Sequence, residues 1–253
     1  MAIFIDFENL ALGAAETLPG HANPVPAAAL EVLCRDYGNA SIRRAYADWA
    51  RPPFGRHQQD LALNGIDLIQ VTRFGAVQKN AADIRMAVDA METLMVHTDV
   101  DQFVLVAGDG DYSPLVQRLR EWGKHVIGVG TAASASRRLV SVCSEYKYWA
   151  TLVASVDPAV RPAVESRFDI ATAEALLLTA LEHSSGPATA AWVKNKMLAM
   201  DPAFDEANYG CRSFRAFLAE LHHLVRTEPA NGDVTVVATG RAARGAANPA
   251  AGS

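Results

Sequence analysis

The sequence predicts an α/β protein, with a parallel β-sheet flanked by helices, followed by a small winged-helix-like α+β unit. Residues 1 to about 150 alternate short apolar runs with amphipathic stretches, as strands joined by crossover helices do. Downstream, three stretches of helical periodicity precede two β-rich segments around Asn231-Gly232, a dipeptide typical of hairpin turns. A chain of 253 residues can form one medium and one small core.

Strands and helices of the first unit follow from these two periodicities. The strands are expected at Ile3 to Asp6, Ser41 to Asp48, Ile66 to Val71, Phe103 to Ala107 and His125 to Gly130. The helices are expected at about 26–38, 56–64, 81–97, 112–122 and 135–142. The first unit therefore spans residues 1–150.

The rest of the chain divides into a linker, a second unit and a tail. Residues 151–168 lose the alternation and contain Pro158 and Pro162, which predicts a linker. The second unit, 169–237, is expected to have helices at 169–183, 188–200 and 210–224 and a hairpin of Val225 to Thr227 with Val234 to Val237. The Ala/Gly-rich residues 238–253 have few large apolar side chains, so we expect a disordered tail.

Composition limits the classes of function. The three cysteines are far apart and lack CxxC or Cys/His ligand spacing, which indicates neither a zinc site nor a disulfide framework. No stretch has the roughly 18 apolar residues of a membrane span, and no export signal precedes the first strand. We expect a cytoplasmic protein without membrane association. Its net charge of −5 argues against binding nucleic acid by charge alone.

Carboxylates are concentrated where the predicted strands end. Asp6 ends the first strand, and Asp109 and Asp111 follow the strand at Phe103 to Ala107. Asp83 begins the helix that leads to that strand. In parallel sheets ligands collect at the carboxyl ends of the strands, so we expect these acids to converge there.

Convergent carboxylates repel each other, and raised pKa values or bound divalent cations relieve the repulsion. Oxygen ligands alone favour Mg²⁺ or Mn²⁺, which can activate water for phosphodiester hydrolysis. The alternative is structural: Asp6 and Asp109 only end strands, while Asp111 or Ser113 caps a helix. Lys79 and Arg85, beside the acids, are candidates for phosphate contacts or for a solvated surface.

Three ordered motifs resemble the NYN domain, including its LabA-like members: Ile5-Asp6 through Asn9, Ala82-Asp83 through Met91, and Val106 through Leu115. The resemblance continues to Tyr146 and covers most of residues 1–150. It implies a PIN-like fold whose acids bind Mg²⁺ or Mn²⁺ and cleave RNA, with internal and terminal cleavage both left open. Ala107 replaces a serine that many relatives have, which removes a hydroxyl near the metals.

By position, the resemblance implies that Asp6, Asp83 and Asp109 are catalytic metal ligands. Asp111 is then a fourth ligand or a supporting acid. Asn9 orients the substrate or Asp6, and Asp89 is a supporting residue with a structural role.

The second unit resembles OST-HTH/LOTUS domains through Ala175-Leu176-Leu177, the segment Ala191 to Met197, and Tyr209 to Phe214. This resemblance implies RNA binding, or docking to a protein partner in some members. The candidate phosphate contacts are Lys194, Lys196, Arg212 and Arg215, and Tyr209 or Trp192 is a candidate for stacking on a base, although the core is the favoured place for Trp192.

Other functions remain open at this point. A catalytically silent RNA-binding or regulatory adaptor would keep the fold without depending on metal. A Toprim-like nuclease also places acids after two strands, but it would not need Asp83. Cleavage of DNA is not excluded, because the argument from carboxylates concerns phosphodiesters and not sugars. The oligomeric state is not predicted.

Overall fold

The computed structural model describes residues 1–72, 80–157, 160, 168–184, 186–230 and 233–239. The chain forms two compact units, Met1–Arg161 and Pro162–Ser253. The first is a parallel α/β unit and the second a small α+β unit, so the predicted fold class is confirmed.

Six parallel strands form the sheet of the first unit, in the order β3-β2-β1-β4-β5-β6. They are β1 Ala2–Asp6, β2 Ile42–Ala47, β3 Asp67–Gln70, β4 Gln102–Val106, β5 His125–Gly130 and β6 Glu145–Tyr148. All five residues of β1 are buried, because the strand is central and covered on both faces. This explains why the strand reads as a continuous apolar run.

Eight α-helices of this unit connect or follow the strands in the described residues. They are α1 Phe7–Thr17, α2 Ala28–Tyr37, α3 Pro52–Gly55, α4 Gln58–Leu63, α5 Ala81–Val96, α6 Ser113–Glu121, α7 Arg137–Val142 and α8 Trp149–Val156. Ile3 and Ile5 belong to the core that Leu10 of α1, Leu33 of α2 and Trp149 of α8 complete. Side chains alternate along a strand, so Phe4 lies on the opposite face, where its ring stacks on Phe103.

The strand order creates a crevice for a ligand. From β1 the chain adds β2 and β3 on one side, and β4 then pairs with the other side of β1, with Ile5 opposite Val106. Helices leave the two strands in different directions at such a switch point, and ligands bind there. The residues that follow β1 and β4 therefore occupy the most favourable position for a site.

Several elements differ from the sequence prediction. Helix α1 begins immediately after Asp6, where no helix was predicted, and α3 and α4 replace a single helix at 56–64. Strand β6 was also missed. The predicted linker 151–168 was wrong at its start, because residues 151–156 lie in α8, which packs its Leu152 and Val153 into the core of the first unit.

The second unit packs three helices against a three-stranded sheet of order β7-β9-β8. Its elements are α9 Ile170–Glu182, β7 Ala188–Thr189, α10 Ala190–Met200, α11 Phe214–Glu220, β8 Val225–Ala230 and β9 Asp233–Ala238. The antiparallel pair β8 and β9 is the predicted hairpin, extended by one residue into the predicted tail. Its turn, Asn231-Gly232, and the tail residues 240–253 lie outside the described residues, as do Pro158 and Pro162.

No helix in the described ranges is long and apolar enough to cross a membrane.

Candidate active site

Asp6 is a buried acid at the end of β1. Asp6 is only 5% exposed. Its Oδ1 accepts a hydrogen bond from the backbone N–H of Asn9 at 3.1 Å, and this bond caps α1. Burial raises the pKa of Asp6 to about 7, the nearby charges of Asp83 and Glu8 add to the rise, and the bond from Asn9 opposes it. At neutral pH this carboxyl is therefore divided between its charged and neutral forms.

Asp83 and Tyr112 complete a cluster with Asp6. Asp83 lies in the first turn of α5, and Tyr112 ends the 3₁₀ turn Gly110–Tyr112 that follows β4. The Tyr112 hydroxyl is 2.9 Å from Asp83 Oδ1 and 3.4 Å from Asp6 Oδ2. Burial, followed by the charges of the two acids, raises the pKa of Tyr112. The hydroxyl is thus a permanent hydrogen-bond donor between two carboxyl groups.

Asp109 and Asp111 lie in the loop between β4 and α6, and both are exposed. The Asp109 carboxylate accepts the backbone N–H of Asp111 at 2.9 Å and so caps the 3₁₀ turn. Gly108 is required just before it, because a Cβ there would lie 2.5 Å from the backbone oxygen of Ser134. This close approach fixes where the loop leaves the sheet.

Two of the predicted carboxylate ligands are close enough together to bind a hard divalent cation. Among the described residues, no three or more His, Cys, Asp or Glu side chains are close enough together to hold a metal ion. Asp6 and Asp83 do come together, and Mg²⁺ typically uses one or two carboxylates with waters and phosphate oxygens. The pair therefore fits such an ion, while the ligand role of Asp109 stays a prediction.

Asp89, predicted as a supporting residue, is buried and forms contacts with three other side chains of the first unit. It accepts hydrogen bonds from the Tyr46 hydroxyl at 2.9 Å and from Arg85 Nε at 2.9 Å, and Arg44 lies 3.7 Å away. The guanidinium of Arg85 is thus engaged with Asp89. This ion pair gives Arg85 a structural role beside its proposed contact with phosphate.

The other supporting residues have different outcomes. Asn9 orients Asp6 through its backbone N–H, as described above. Ser113 is 1% exposed, and its Oγ has no hydrogen-bond partner among the described residues. Lys79 lies outside the described residues.

The predicted RNA contacts of the second unit are not equivalent. Lys194 is 2.8 Å from Glu206 Oε1 and lies over the Phe214 ring, so its ammonium group is engaged within the unit. Arg212 and Arg215 are exposed, and Lys196 is partly exposed. Their role as phosphate contacts stays a prediction.

The structure separates the two aromatic residues that were candidates for stacking on a base. Trp192 is 39% exposed, so its assignment to the core was wrong. Tyr209, proposed for stacking on a base, instead packs against Phe204 and Phe217. The exposed aromatic surface therefore belongs to α10.

Tyr112 is the site residue that sequence reasoning missed. It lies within the motif that carries Asp109 and Asp111, but a single aromatic residue at the start of a helix usually indicates a residue of the hydrophobic core. Its partner Asp83 is 29 residues away in sequence, so no local pattern indicates the contact. Glu8, which is also buried and accepts the backbone N–H of Asp48 at 2.9 Å, was missed for the same reason.

The six-stranded parallel sheet flanked by helices, with Asp6 and Asp83 at its switch point, is the α/β fold of PIN-like domains, a nuclease-type class. The sequence profile of the NYN domain matches residues 1–150, and that of the OST-HTH/LOTUS domain matches residues 169–237. The chain therefore belongs to the NYN domain family. The second domain points to RNA binding, so the protein has a ribonuclease or other RNA-associated role.

Solved structures support the fold alone. A crystal structure of a protein of unknown function from Vibrio parahaemolyticus matches with a TM-score of 0.50 at 23% identity, over 58% of this chain and 90% of that chain. No curated protein matches the chain significantly.

Proposed function

We propose that this protein is a ribonuclease that depends on Mg²⁺ or Mn²⁺ and hydrolyses RNA at the carboxyl edge of its sheet. The observation that carries the proposal is the pair of the buried Asp6 and the partly exposed Asp83, both contacted by one hydroxyl at the switch point between β1 and β4. Ionising the buried Asp6 beside a second carboxylate is costly, and a bound cation offsets that cost. The NYN and OST-HTH/LOTUS profiles support RNA as the substrate.

In this proposal Asp6 and Asp83 hold the cation, and Asp109 and Asp111 act from the adjoining loop. The cation would lower the pKa of a bound water and stabilise the charge that develops on the phosphate. Asp6 must lose its proton to serve as a ligand, which its pKa of about 7 permits at cellular pH. A groove of about 500 Å³, lined by Asp83, Asp111, Tyr112 and Arg118 among others, opens beside Asp83. It has the size of a small-ligand pocket and would hold a short segment of an RNA strand.

The second unit would hold the RNA by its exposed side chains. Arg212 and Arg215 are suited to phosphates, and the exposed ring of Trp192 is suited to stacking on an unpaired base. A protein partner for this unit and a cytoplasmic location stay predictions.

The test is cleavage of labelled single-stranded RNA, hairpin RNA and matching DNA by the full chain with Mn²⁺, Mg²⁺ or EDTA. Asp6→Asn and Asp83→Asn should each reduce the rate at least a hundredfold, because each removes one carboxylate ligand. Asp67→Asn is the matched control, since Asp67 is exposed and begins β3 at the opposite edge of the sheet.

Three outcomes would change the proposal. Equal activity in EDTA would refute the dependence on metal, and faster cleavage of DNA would refute the substrate. Wild-type protein that binds RNA in a gel shift but cleaves nothing would be the silent adaptor.

A further inference from the structure

The Tyr112 hydroxyl is placed between the two acids of the candidate active site. It contacts Asp83 at 2.9 Å and Asp6 at 3.4 Å, and the residue is only 2% exposed. We propose that Tyr112 is a positioning residue whose hydroxyl holds Asp83 close enough to Asp6 for the two carboxylates to share one divalent cation. This inference rests on the proposed function and deepens it.

The position of the hydroxyl is fixed by the backbone that precedes it. Asp109 caps the 3₁₀ turn that ends at Tyr112, and α6 begins at the next residue. The ring is therefore held from the β4 side of the site, while Asp6 comes from β1 and Asp83 from α5. One hydroxyl thus contacts a side chain from β1 and a side chain from α5, and it comes from the turn that follows β4.

Geometry decides which acid receives the hydrogen. A phenol has one hydrogen to donate, and the contact with Asp83 is the shorter by 0.5 Å, so Asp83 accepts it. Asp83 is partly exposed, in the first turn of its helix, and repulsion from Asp6 would drive its carboxylate towards solvent. The hydroxyl opposes that movement, because a hydrogen bond to a charged group is among the stronger ones.

The competing interpretation is that Tyr112 only fills the core with its ring. Tyr112→Phe separates the two, since it keeps the ring and removes the hydroxyl. Two matched controls lose a buried tyrosine hydroxyl elsewhere in the first unit: Tyr146→Phe, whose hydroxyl donates to the Ala107 carbonyl, and Tyr46→Phe, whose hydroxyl donates to Asp89.

Three measurements on the full chain test the inference. Without metal, hydrogen exchange in peptides covering residues 80–86 should become faster in Tyr112→Phe. The dissociation constant for Mn²⁺, measured by calorimetry without RNA, should rise about tenfold, as the loss of one hydrogen bond to a carboxylate implies. With RNA and Mn²⁺, kcat should fall while KM stays near the wild-type value. Both control variants should match wild type in Mn²⁺ affinity.

Unchanged exchange and Mn²⁺ affinity in Tyr112→Phe would overturn the inference. So would tighter Mn²⁺ binding, which would mean that the hydroxyl competes with the cation, and so would an equal loss in Tyr146→Phe. Failure of the proposed function has a different signature: the wild-type protein itself would neither bind Mn²⁺ nor cleave RNA. In that case the metal part of the inference is refuted as well, and the exchange measurement alone decides whether Tyr112 holds Asp83.

Discussion

Replacing Asp6 with asparagine should make the metal-free protein more stable at neutral pH, although it removes a proposed ligand. In the folded protein Asp6 keeps its proton up to about pH 7, whereas its ordinary value is 3.8. The folded state therefore binds more protons than the unfolded state between these values. The stability that Asp6 contributes is fully present below about pH 4 and is lost as the pH rises to about 7.

The size of this effect follows from the pKa values. A change of one in pKa corresponds to about 1.4 kcal/mol, so the rise from 3.8 to about 7 amounts to about 4 kcal/mol. Solvent screening reduces this little, because Asp6 is 5% exposed. Asparagine cannot ionise, and its amide oxygen can still accept the N–H of Asn9 that caps α1.

The assay is urea unfolding of wild type and Asp6→Asn in EDTA from pH 4.5 to 8. Tryptophan fluorescence would report mainly on unfolding of the first unit, which contains Trp49, Trp122 and Trp149, whereas the second unit contains Trp192. Relative to the variant, wild type should lose most of the 4 kcal/mol by pH 7 and little more above it. Mn²⁺ at pH 8 should restore stability to wild type but not to the variant, because a ligand stabilises only the state that binds it. A constant difference between the two proteins across this range would refute the argument.

Four further substitutions test other parts of the structure. Asp89→Ala should lower the free energy of unfolding by about 2 kcal/mol, since it leaves the buried Tyr46 hydroxyl without its acceptor. A loss below about 0.5 kcal/mol, which is the effect of an ordinary surface substitution, would contradict the structural role. Gly108→Ala places a methyl group 2.5 Å from a backbone oxygen after β5, so we expect about 2 kcal/mol of destabilisation and slower cleavage, measured together. In the second unit, Lys194→Ala should lower the melting temperature, whereas Arg215→Ala should lower RNA affinity in a filter-binding assay. Among the described residues, only the Lys194 side chain of the two forms an internal ion pair. The reverse pattern would exchange their roles.

The fold was predictable where the sequence pattern depends on burial alone. Strands β1, β4 and β5 are continuous apolar runs because helices cover both faces of the sheet. Helix α8 was missed because it has only eight residues, and nothing local distinguishes its apolar sequence from a linker before Pro158. Its burial against the core that contains Leu33 determines its structure, and that contact joins parts of the chain more than 100 residues apart.

The sequence predicted which acids lie at the ends of the strands, but not the contacts that their side chains form. The rule that ligands bind at the carboxyl edge is enough to select Asp6 and Asp109 from the sequence. It does not reveal that Asp109 accepts a hydrogen bond from its own loop, nor that Tyr112 connects Asp83 to Asp6. These contacts depend on how α5 packs beside the loop after β4, which is a tertiary property.

Two buried aspartates show why the structure is needed to separate a functional acid from a structural one. Asp6 and Asp89 are 5% and 4% exposed, and in the sequence both stand among apolar neighbours. Asp89 has two arginines within 4 Å, so its charge is compensated within the fold. Within the described ranges Asp6 has no cationic partner, and burial raises its pKa to about 7. The described residues therefore supply positive charge to Asp89 but not to Asp6, and a divalent cation held by Asp6 and Asp83 would stabilise the charged form of Asp6.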